Sequence, residues 1–235
     1  MRPLWLMQVL TIPGILLPSK RKTGREESHM IEVYLVPTAN GQKVAVLLEE
    51  LAIPYVAHRI VRTVGDQPSD DYLKHNPMGK YPTLVDKDVP GGLLAVFETM
   101  AIALYLTEKT GRLVPSEQKP RAAAHQWAAL AASDLTPAMA TQYFLTLRAK
   151  TDVGEATEWV LNEIDRFLRA IDGRLGDVPY LAGDTYSYAD VLMYPLMATS
   201  VQRLEGGHAA YANITRWAKA VGARDAVQKG MAVAS

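Results

Sequence analysis

The order of hydrophobic patterns in residues 31–109 constrains the fold of this chain more than any other feature of its sequence. Residues 31–36 form a short apolar run bounded by a proline and an Asn-Gly pair, which is typical of a buried strand. Residues 42–51 place apolar side chains at helical spacing and predict a helix in which Glu49 and Glu50 face water. Residues 56–61 read as a second strand, so we expect the chain to begin with a parallel βαβ unit.

A β-hairpin pattern completes this part of the chain. Residues 83–86 and 93–97 read as two strands, and the Asp-Val-Pro-Gly-Gly segment between them is typical of a tight turn. A loop with a short helix is expected at 66–75, and a helix is expected from 99 to 109 before a glycine. A parallel βαβ unit followed by an antiparallel hairpin is the thioredoxin-like arrangement.

The rest of the chain reads as helical. Residues 110–119 are polar and contain proline, which predicts a linker between a thioredoxin-like domain at 30–109 and an all-helical bundle at 120–235. Hydrophobic spacing predicts helices at 121–147 (with an interruption near 134–137), 154–174, 188–200 and 211–221. The last of these helices is expected to close the bundle.

The segment before helix 188–200 predicts a capping box. Ser187 is expected to cap the helix, and the Asp190 carboxylate is expected to accept a hydrogen bond from the Ser187 amide. We expect a structural role for this pair, and loss of such a cap typically costs ~1 kcal/mol.

Composition excludes several classes of function. The chain has no cysteine, which excludes disulfides, thiolate metal sites and a protein-borne sulfur nucleophile, so any thiol chemistry needs a sulfur that arrives with a ligand. The 25 basic and 25 acidic side chains cancel, so no net charge favours nucleic acid or an anionic membrane as a partner. No stretch reaches the ~20 apolar residues of a membrane-spanning helix. We expect residues 1–29 to be an extension outside the fold, and a cytoplasmic location fits the lack of cysteine.

Three short segments carry the candidate chemistry. Residues 37–41 read Pro-Thr-Ala-Asn-Gly after the first strand, 79–85 read Gly-Lys-Tyr-Pro-Thr-Leu-Val, and 97–99 read Phe-Glu-Thr at a helix start. A polar turn at a helix start can hold a thiolate, and an X-Pro bond before a strand can present backbone groups. A carboxylate and a hydroxyl at a second helix start can bind an α-amino acid head. Together the segments predict a site for a small anionic peptide that carries a thiol.

The turn at 37–41 can stabilise a thiolate in three ways. The Thr38 hydroxyl, the Asn40 amide and the positive end of helix 42–51 each favour the charged form of a thiol whose pKa is ordinarily ~8.5. Lowering that pKa by two units requires about 2.7 kcal/mol. One charge-assisted hydrogen bond of ~1.5–3 kcal/mol and a dipole contribution of ~0.3–1 kcal/mol supply that amount. A turn and a helix cap without chemistry are the alternative for Thr38 and Asn40.

From residue 30 onward the chain resembles the cytosolic glutathione S-transferases. The resemblance rests on the turn at 37–41, Asn-Pro-Met-Gly-Lys-Tyr-Pro at 76–82, Phe-Glu-Thr at 97–99 and Ser-Tyr-Ala-Asp at 187–190. The first turn most resembles the Nu class and the glutathione-dependent disulfide-bond oxidoreductases, which bind glutathione without a catalytic tyrosine or cysteine. The resemblance implies a thioredoxin-like domain followed by a helical bundle, a homodimer, and glutathione as a co-substrate with no permanently bound cofactor.

The resemblance also implies roles for individual residues. Thr38 and Asn40 would stabilise the thiolate, and Tyr34 is the alternative donor because other branches use a tyrosine near this strand's end. The bond between Tyr81 and Pro82 would be cis and would present the Tyr81 backbone to the cysteinyl unit. A purely structural edge-strand proline is the alternative.

The two ends of glutathione would be held elsewhere. Glu98 would bind the ammonium of the γ-glutamyl group and Thr99 its carboxylate, although Thr99 could instead be an ordinary N-cap. Gln67 and Lys80 would lie near the glycyl end as an amide and a cation, or could be solvated surface residues.

A second substrate is expected between the two domains. Trp127, Met139, Tyr143 and Phe144 form an aromatic and thioether group at helical spacing, which either lines a pocket or packs in the core. Arg148 is only a loose positional match to an arginine that some relatives place against glutathione. The expected function is a glutathione-dependent transferase, thiol-disulfide oxidoreductase or peroxidase acting on a small electrophile or disulfide. A non-catalytic interaction module and a dedicated glutathione lyase or isomerase are the alternatives.

Overall fold

The computed structural model describes residues 31–61 and 67–234, and the predicted extension at 1–29 lies outside them. A four-stranded sheet has the strand order β2-β1-β3-β4, in which β2 is parallel to β1 while β3 and β4 are antiparallel to their neighbours. The predicted βαβ unit and hairpin are therefore confirmed. The strands are β1 (Ile31–Leu35), β2 (Tyr55–Arg59), β3 (Thr83–Val89) and β4 (Gly92–Phe97).

Helices cover the sheet and form the rest of the molecule. The helices are α1 (Ala39–Leu51), α2 (Asp70–Leu73), α3 (Thr99–Thr110), α4 (Gln118–Ala129), α5 (Thr136–Leu147), α6 (Gly154–Asp177), α7 (Tyr188–Pro195), α8 (Ala212–Gly222) and α9 (Asp225–Val233). Both ends of the predicted linker at 110–119 are helical, because α3 includes Thr110 and α4 begins at Gln118. We therefore propose 111–117 as the connection between the two parts. Within residues 31–61 and 67–234, no helix has the length and apolar character needed to cross a membrane.

The helix α1 is buried along most of its length. In β1, Ile31, Val33 and Leu35 are buried, and they share one hydrophobic core with Val44, Leu47, Leu48 and Leu51 of α1. Helices α7 and α9 pack against α1, and Glu50 is buried rather than facing water as predicted. Its carboxylate is buried and accepts hydrogen bonds from Arg224 Nε at 2.6 Å and Nη2 at 2.8 Å.

The predicted interruption near 134–137 is a π-helical turn. The chain continues from α4 through the π-helical segment Leu130–Leu135 directly into α5, with no residue outside a helical conformation. The Thr136 hydroxyl donates to the Ala131 carbonyl oxygen, five residues back, at 2.6 Å. A second π-helical segment, Leu196–Ser200, follows α7 and leads into a 3₁₀ turn at Val201–Arg203. The predicted helix at 188–200 therefore changes its hydrogen-bond pattern halfway along.

The chain ends with a helix that the hydrophobic pattern does not predict. Helix α9 packs against α1, so the prediction that 211–221 closes the bundle is wrong. The approach is close at Gly230, where an added Cβ would lie 2.4 Å from Val46 Cα. A glycine within a nine-residue segment weakens its helical signal, and here tertiary contact overrides that propensity.

The predicted capping box is confirmed. The Ser187 amide donates to Asp190 Oδ2 at 2.9 Å, and both halves of the box are present. The other oxygen, Asp190 Oδ1, accepts hydrogen bonds from the Leu181 amide at 3.0 Å and from Trp217 Nε1 at 2.9 Å. The carboxylate therefore joins α7, α8 and the loop before α7 in the centre of the bundle.

Candidate functional site

The sheet brings the three predicted segments to one edge. Tyr34 of β1 pairs with Thr83 of β3, and Thr83 pairs with Phe97 of β4. The turn after β1, the Tyr81-Pro82 bond before β3 and the Glu98 position after β4 therefore follow one another along the same edge. This is what a single ligand spanning the three segments requires.

The turn after β1 combines a helix cap with a solvent-facing hydroxyl. Thr38 is the N-cap of α1, and its Oγ1 accepts a hydrogen bond from the Gly41 amide at 3.3 Å. The Thr38 side chain is exposed, so its hydroxyl hydrogen is available to a ligand. Gly41 is needed here because an added Cβ would lie 2.3 Å from the Val36 carbonyl oxygen. The cap interpretation and the thiolate interpretation of Thr38 are thus compatible.

Behind the turn lies a buried lysine that the sequence analysis did not single out. Lys43 is 0% exposed, and its Nζ donates to Asn40 Oδ1 at 3.0 Å and to Thr136 Oγ1 at 2.7 Å. Burial lowers the pKa of Lys43 from 10.5 to about 7. The position of Lys43 at the positive end of α1 acts in the same direction.

The Tyr81-Pro82 bond is cis, as predicted. The residue before Tyr81 is held by side chains of the preceding segment. The Tyr72 hydroxyl at 2.6 Å and Asn76 Nδ2 at 2.8 Å both donate a hydrogen bond to the Lys80 carbonyl oxygen. The Tyr81 ring stacks on Tyr72 with their centroids 4.6 Å apart. The segment before β3 is therefore held in one conformation by buried polar and aromatic contacts.

Glu98 occupies an unusual backbone conformation at the start of α3. Its φ is 71° and its ψ is 127°, a region that residues other than glycine rarely adopt. Glu98 is exposed and is itself the N-cap residue, so the ordinary N-cap interpretation of Thr99 is wrong; Thr99 is the first residue of the helix and is buried. Such conformations cluster at ligand sites, and here a carboxylate stands beside the amides of a helix start.

A cleft of about 660 Å³ opens between this sheet edge and the helices. Four predicted glutathione-site residues line it on the sheet side, namely Thr38, Asn40, Lys80 and Tyr81. From the helices, its lining includes Thr136, Met139, Gln142, Tyr143, Thr199, Ser200 and Arg203. Both π-helical turns therefore end at the wall of the cleft.

The structure separates the predicted second-substrate residues. Met139 and Tyr143 line the cleft, whereas Trp127 packs against the core and is not among the lining residues. Phe144 is 58% exposed, and neither it nor the exposed Arg148 lines the cleft. A period of 3.6 residues identifies a helix face but not the element that the face meets.

The remaining predicted residues lie around the cleft. Pro82, Glu98 and Thr99 share the sheet edge without lining the cleft, and Gln67 is exposed beyond the carboxyl end of β2. Tyr34 packs in an aromatic cluster, with its ring centroid 4.6 Å from that of His58 and 5.5 Å from that of Tyr72. Tyr34 does not line the cleft, which favours Thr38 as the hydroxyl donor.

Sequence reasoning missed Lys43, Thr136, Thr199, Ser200 and Arg203. A signal for Lys43 existed, since it lies one helical turn after Asn40 on a helix of mainly apolar residues. No local signal identifies the others, because they line the cleft only once the helices have packed beside the sheet.

Two family models match the chain. The N-terminal domain of glutathione S-transferases matches residues 39–109, and the C-terminal domain of glutathione S-transferases matches residues 135–225. Among curated proteins, the disulfide-bond oxidoreductase YfcG of Escherichia coli (strain K12) is 31% identical over 205 residues, which cover 86% of this chain and 94% of YfcG.

Solved structures agree in fold. A glutathione transferase family member from Pseudomonas fluorescens pf-5 with two glutathione bound has a TM-score of 0.81 at 29% identity and covers 88% of this chain and 94% of that chain. A glutathione transferase from Pseudomonas putida with one glutathione disulfide bound per subunit has a TM-score of 0.81 at 27% identity. This match covers 88% of this chain and 93% of that chain. These matches confirm the predicted fold of a thioredoxin-like sheet with a helical bundle. The chain belongs to the glutathione S-transferase family.

Proposed function

We propose that this protein stabilises the thiolate of bound glutathione and directs it at a disulfide, with peroxides and electrophilic carbon as further targets. The observation that carries the proposal is the meeting of an exposed cap hydroxyl, an amide and the positive end of α1 at the wall of a 660 Å³ cleft. The two solved structures described above support it, because they bind glutathione or glutathione disulfide on the same fold.

The tripeptide would lie along the sheet edge. Glu98 would bind its α-ammonium group, and the amides at the start of α3 with the Thr99 hydroxyl would bind the neighbouring carboxylate. The Tyr81 backbone would pair with the cysteinyl unit, and Lys80 and Gln67 would lie toward the glycyl carboxylate. In this orientation the sulfur would lie beside Thr38 and Asn40.

The disulfide reaction would use sulfur atoms from ligands alone, since the chain has no cysteine. The glutathione thiolate attacks one sulfur of the substrate disulfide, a mixed disulfide forms, and the other sulfur leaves as a thiolate that takes up a proton. A second glutathione thiolate then attacks the mixed disulfide. The products are glutathione disulfide and a second released thiol.

The helical wall of the cleft suits an anionic second molecule. Arg203 provides a cation, while Gln142, Thr199 and Ser200 provide hydrogen-bonding groups beside the apolar Met139. This lining favours a disulfide that carries carboxylates over a neutral apolar electrophile. Transfer of glutathione to an electrophilic carbon is the second candidate function, because the thiolate site would serve both reactions.

The ultraviolet absorbance of the bound thiolate tests the proposal. We expect the pKa of bound glutathione to lie well below that of the free thiol in the wild type, and to return toward ~8.5 in a Thr38→Ala/Asn40→Ala variant. An unshifted thiol in the wild type would instead indicate a non-catalytic binding module. Parallel assays with a mixed disulfide, a hydroperoxide and an aryl halide would rank the reactions, and activity confined to one unrelated metabolite would indicate a dedicated lyase or isomerase.

We also propose a homodimer in the cytoplasm, where reduced glutathione is the main thiol buffer. Large apolar side chains are exposed on both parts of the molecule, among them Met78 (61%), Leu93 (54%) and Trp159 (67%). A symmetric dimer would cover such side chains by pairing one part with the other part of the partner. Analytical ultracentrifugation of the wild type and a Met78→Lys variant tests this, and a wild type that sediments as a monomer at all concentrations would refute it.

A further inference from the structure

We propose that Lys43 is a positioning residue of the thiolate site, whose buried amino group holds the Asn40 side chain with its NH₂ toward the glutathione sulfur. The inference rests on the proposed function and adds a residue to it. Its basis is the contact between Lys43 Nζ and Asn40 Oδ1 at 3.0 Å in a side chain that is 0% exposed.

The burial of Lys43 is costly, and no acidic side chain among residues 31–61 and 67–234 forms an ion pair with it. Lysine is almost never fully buried unless it is paired with an opposite charge. The hydrogen-bond acceptors of Lys43 are instead a neutral amide oxygen and a neutral hydroxyl oxygen. A methionine of similar length would fill the same space without this cost, so the amino group calls for an explanation beyond packing.

The hydrogen bond determines which way the Asn40 amide faces. A lysine ammonium has donors and no acceptor, so its partner on Asn40 is the oxygen and the amide NH₂ points the other way. Asn40 is half-buried and lines the cleft. A charged donor on the oxygen also polarises the amide, which makes its NH₂ a stronger donor to a thiolate.

The helical part of the molecule holds Lys43 in place. Thr136 Oγ1 accepts a hydrogen bond from Lys43 Nζ at 2.7 Å while its own hydrogen is donated to the Ala131 carbonyl oxygen at 2.6 Å. That carbonyl lies in the π-helical turn Leu130–Leu135 and also accepts a hydrogen bond from the Thr136 amide. The turn thus orients Thr136 as an acceptor and connects the bundle to the thiolate site.

Charged side chains on the elements around Lys43 pair with groups other than Lys43 or lie elsewhere. On α1, the Glu49 carboxylate accepts a hydrogen bond from the Tyr55 hydroxyl at 2.8 Å, and Glu50 pairs with Arg224 before α9. On α7, Asp190 is bonded to Leu181, Ser187 and Trp217, while Arg203 after α7 lines the cleft. Burial is accordingly the cause that lowers the pKa of Lys43 to about 7. A thiolate beside Asn40 would raise that pKa again, and by linkage a protonated Lys43 would favour the thiolate.

A Lys43→Met variant tests the inference. The bound thiol is expected to have a pKa about one unit higher than in the wild type, which means a roughly tenfold smaller thiolate fraction at a pH below both values. Affinity for S-methylglutathione, which has no ionisable sulfur, is expected to change little. An Arg224→Lys variant, which alters a contact at the other end of α1, is the control and is expected to leave the thiol pKa unchanged. A thiol pKa in Lys43→Met equal to that of the wild type would overturn the inference.

A second measurement avoids any folding defect of the variant. In the wild type, nuclear magnetic resonance titration of the Lys43 side chain is expected to show a higher pKa with bound glutathione than with bound S-methylglutathione. Equal values with the two ligands would overturn the inference while leaving the proposed function intact. A wild type that fails to lower the thiol pKa at all would overturn both.

Discussion

Thr38 shows how one side chain can serve both the fold and the proposed chemistry. Its oxygen accepts a hydrogen bond from the Gly41 amide and so caps α1, while its hydroxyl hydrogen stays free to donate because the side chain is exposed. Asn40 has the same double character, with its oxygen bonded to Lys43 and its NH₂ directed elsewhere. In the proposed thiolate site, the side-chain oxygens of Thr38 and Asn40 already accept hydrogen bonds from the protein, so each side chain is left to act as a donor toward a ligand.

Removing the Thr38 hydroxyl is expected to slow turnover. Loss of one charge-assisted hydrogen bond of ~1.5–3 kcal/mol corresponds to a rate about 10- to 160-fold lower in Thr38→Ala, measured as glutathione-dependent disulfide reduction at saturating glutathione. The same change costs ~1 kcal/mol of stability through the lost cap. Thr38→Ser keeps the hydroxyl and should retain most of the activity; equal rates for Thr38→Ala and wild type would remove Thr38 from the mechanism.

Lys43 is expected to make stability depend on pH. Its pKa falls from 10.5 when unfolded to about 7 when folded, so between those values only the unfolded chain binds the proton. The free energy of unfolding attributable to Lys43 therefore rises with pH across this window, by about 5 kcal/mol at most, and is constant below it. Urea denaturation of the wild type and Lys43→Met should show the variant as the more stable protein at pH ~6 and this advantage shrinking toward pH ~10. A stability difference independent of pH would contradict the buried lysine.

Helix α9 shows what a close contact between elements requires. Helices α1 and α9 approach so closely that a side chain at 230 would overlap the backbone at Val46. The contact between α9 and α1 helps to keep α1 buried. Helix α1 follows the Thr38 turn and contains Lys43. The last helix thus supports the site without containing any of its residues.

Gly230→Ala is expected to destabilise the protein by ~1–3 kcal/mol, because overlap with α1 outweighs the gain in helix propensity. Gly173→Ala in α6 is the matched control: an added Cβ there meets nothing within 4 Å, so stability should rise by up to ~1 kcal/mol. Thermal unfolding of both variants measures this. Similar shifts for the two variants would mean that α1 and α9 do not pack as described.

At the scale of the whole molecule, buried polar contacts join segments that are far apart in the chain. The Glu50–Arg224 pair spans 174 residues and the Lys43–Thr136 bond spans 93. The Arg224 guanidinium also lies 4.0 Å from the Tyr186 ring centroid. These contacts fix α1 against the helical part from two ends, so the cleft between them has a defined width.

Arg224→Met is expected to cost ~3–5 kcal/mol of stability, since the Glu50 carboxylate would stay buried without its partner. The double variant Glu50→Gln/Arg224→Met should recover part of that loss because no unpaired charge remains. Denaturant unfolding of the two variants measures the difference. A single variant as stable as the double one would show that the pair is not buried in solution.

Most of the secondary structure follows from sequence patterns, and the site follows only in part. The strands, the hairpin and the capping box were predictable because each depends on residues within one element or turn. The glutathione segments are predictable as motifs, whereas helical spacing leaves open whether Trp127 lines a pocket or packs against the core, and the fold shows that it packs against the core. The prediction that Glu50 lies at the surface is wrong for a similar reason. A helical period identifies one apolar face, but it does not show whether other helices cover the remaining faces of the helix.

Sequence patterns are enough to predict the strands, the main helices before α9, the family and the turn proposed to hold a thiolate, since these depend on local spacing and on short motifs. Three features depend instead on the folded molecule: Lys43 is buried beneath Asn40, α9 covers α1, and both π-helical turns end at the cleft. The physical reason is the range of the interactions. Hydrophobic periodicity acts over a few turns of one element, whereas burial and the pairing of polar groups depend on segments that meet only after the chain has folded.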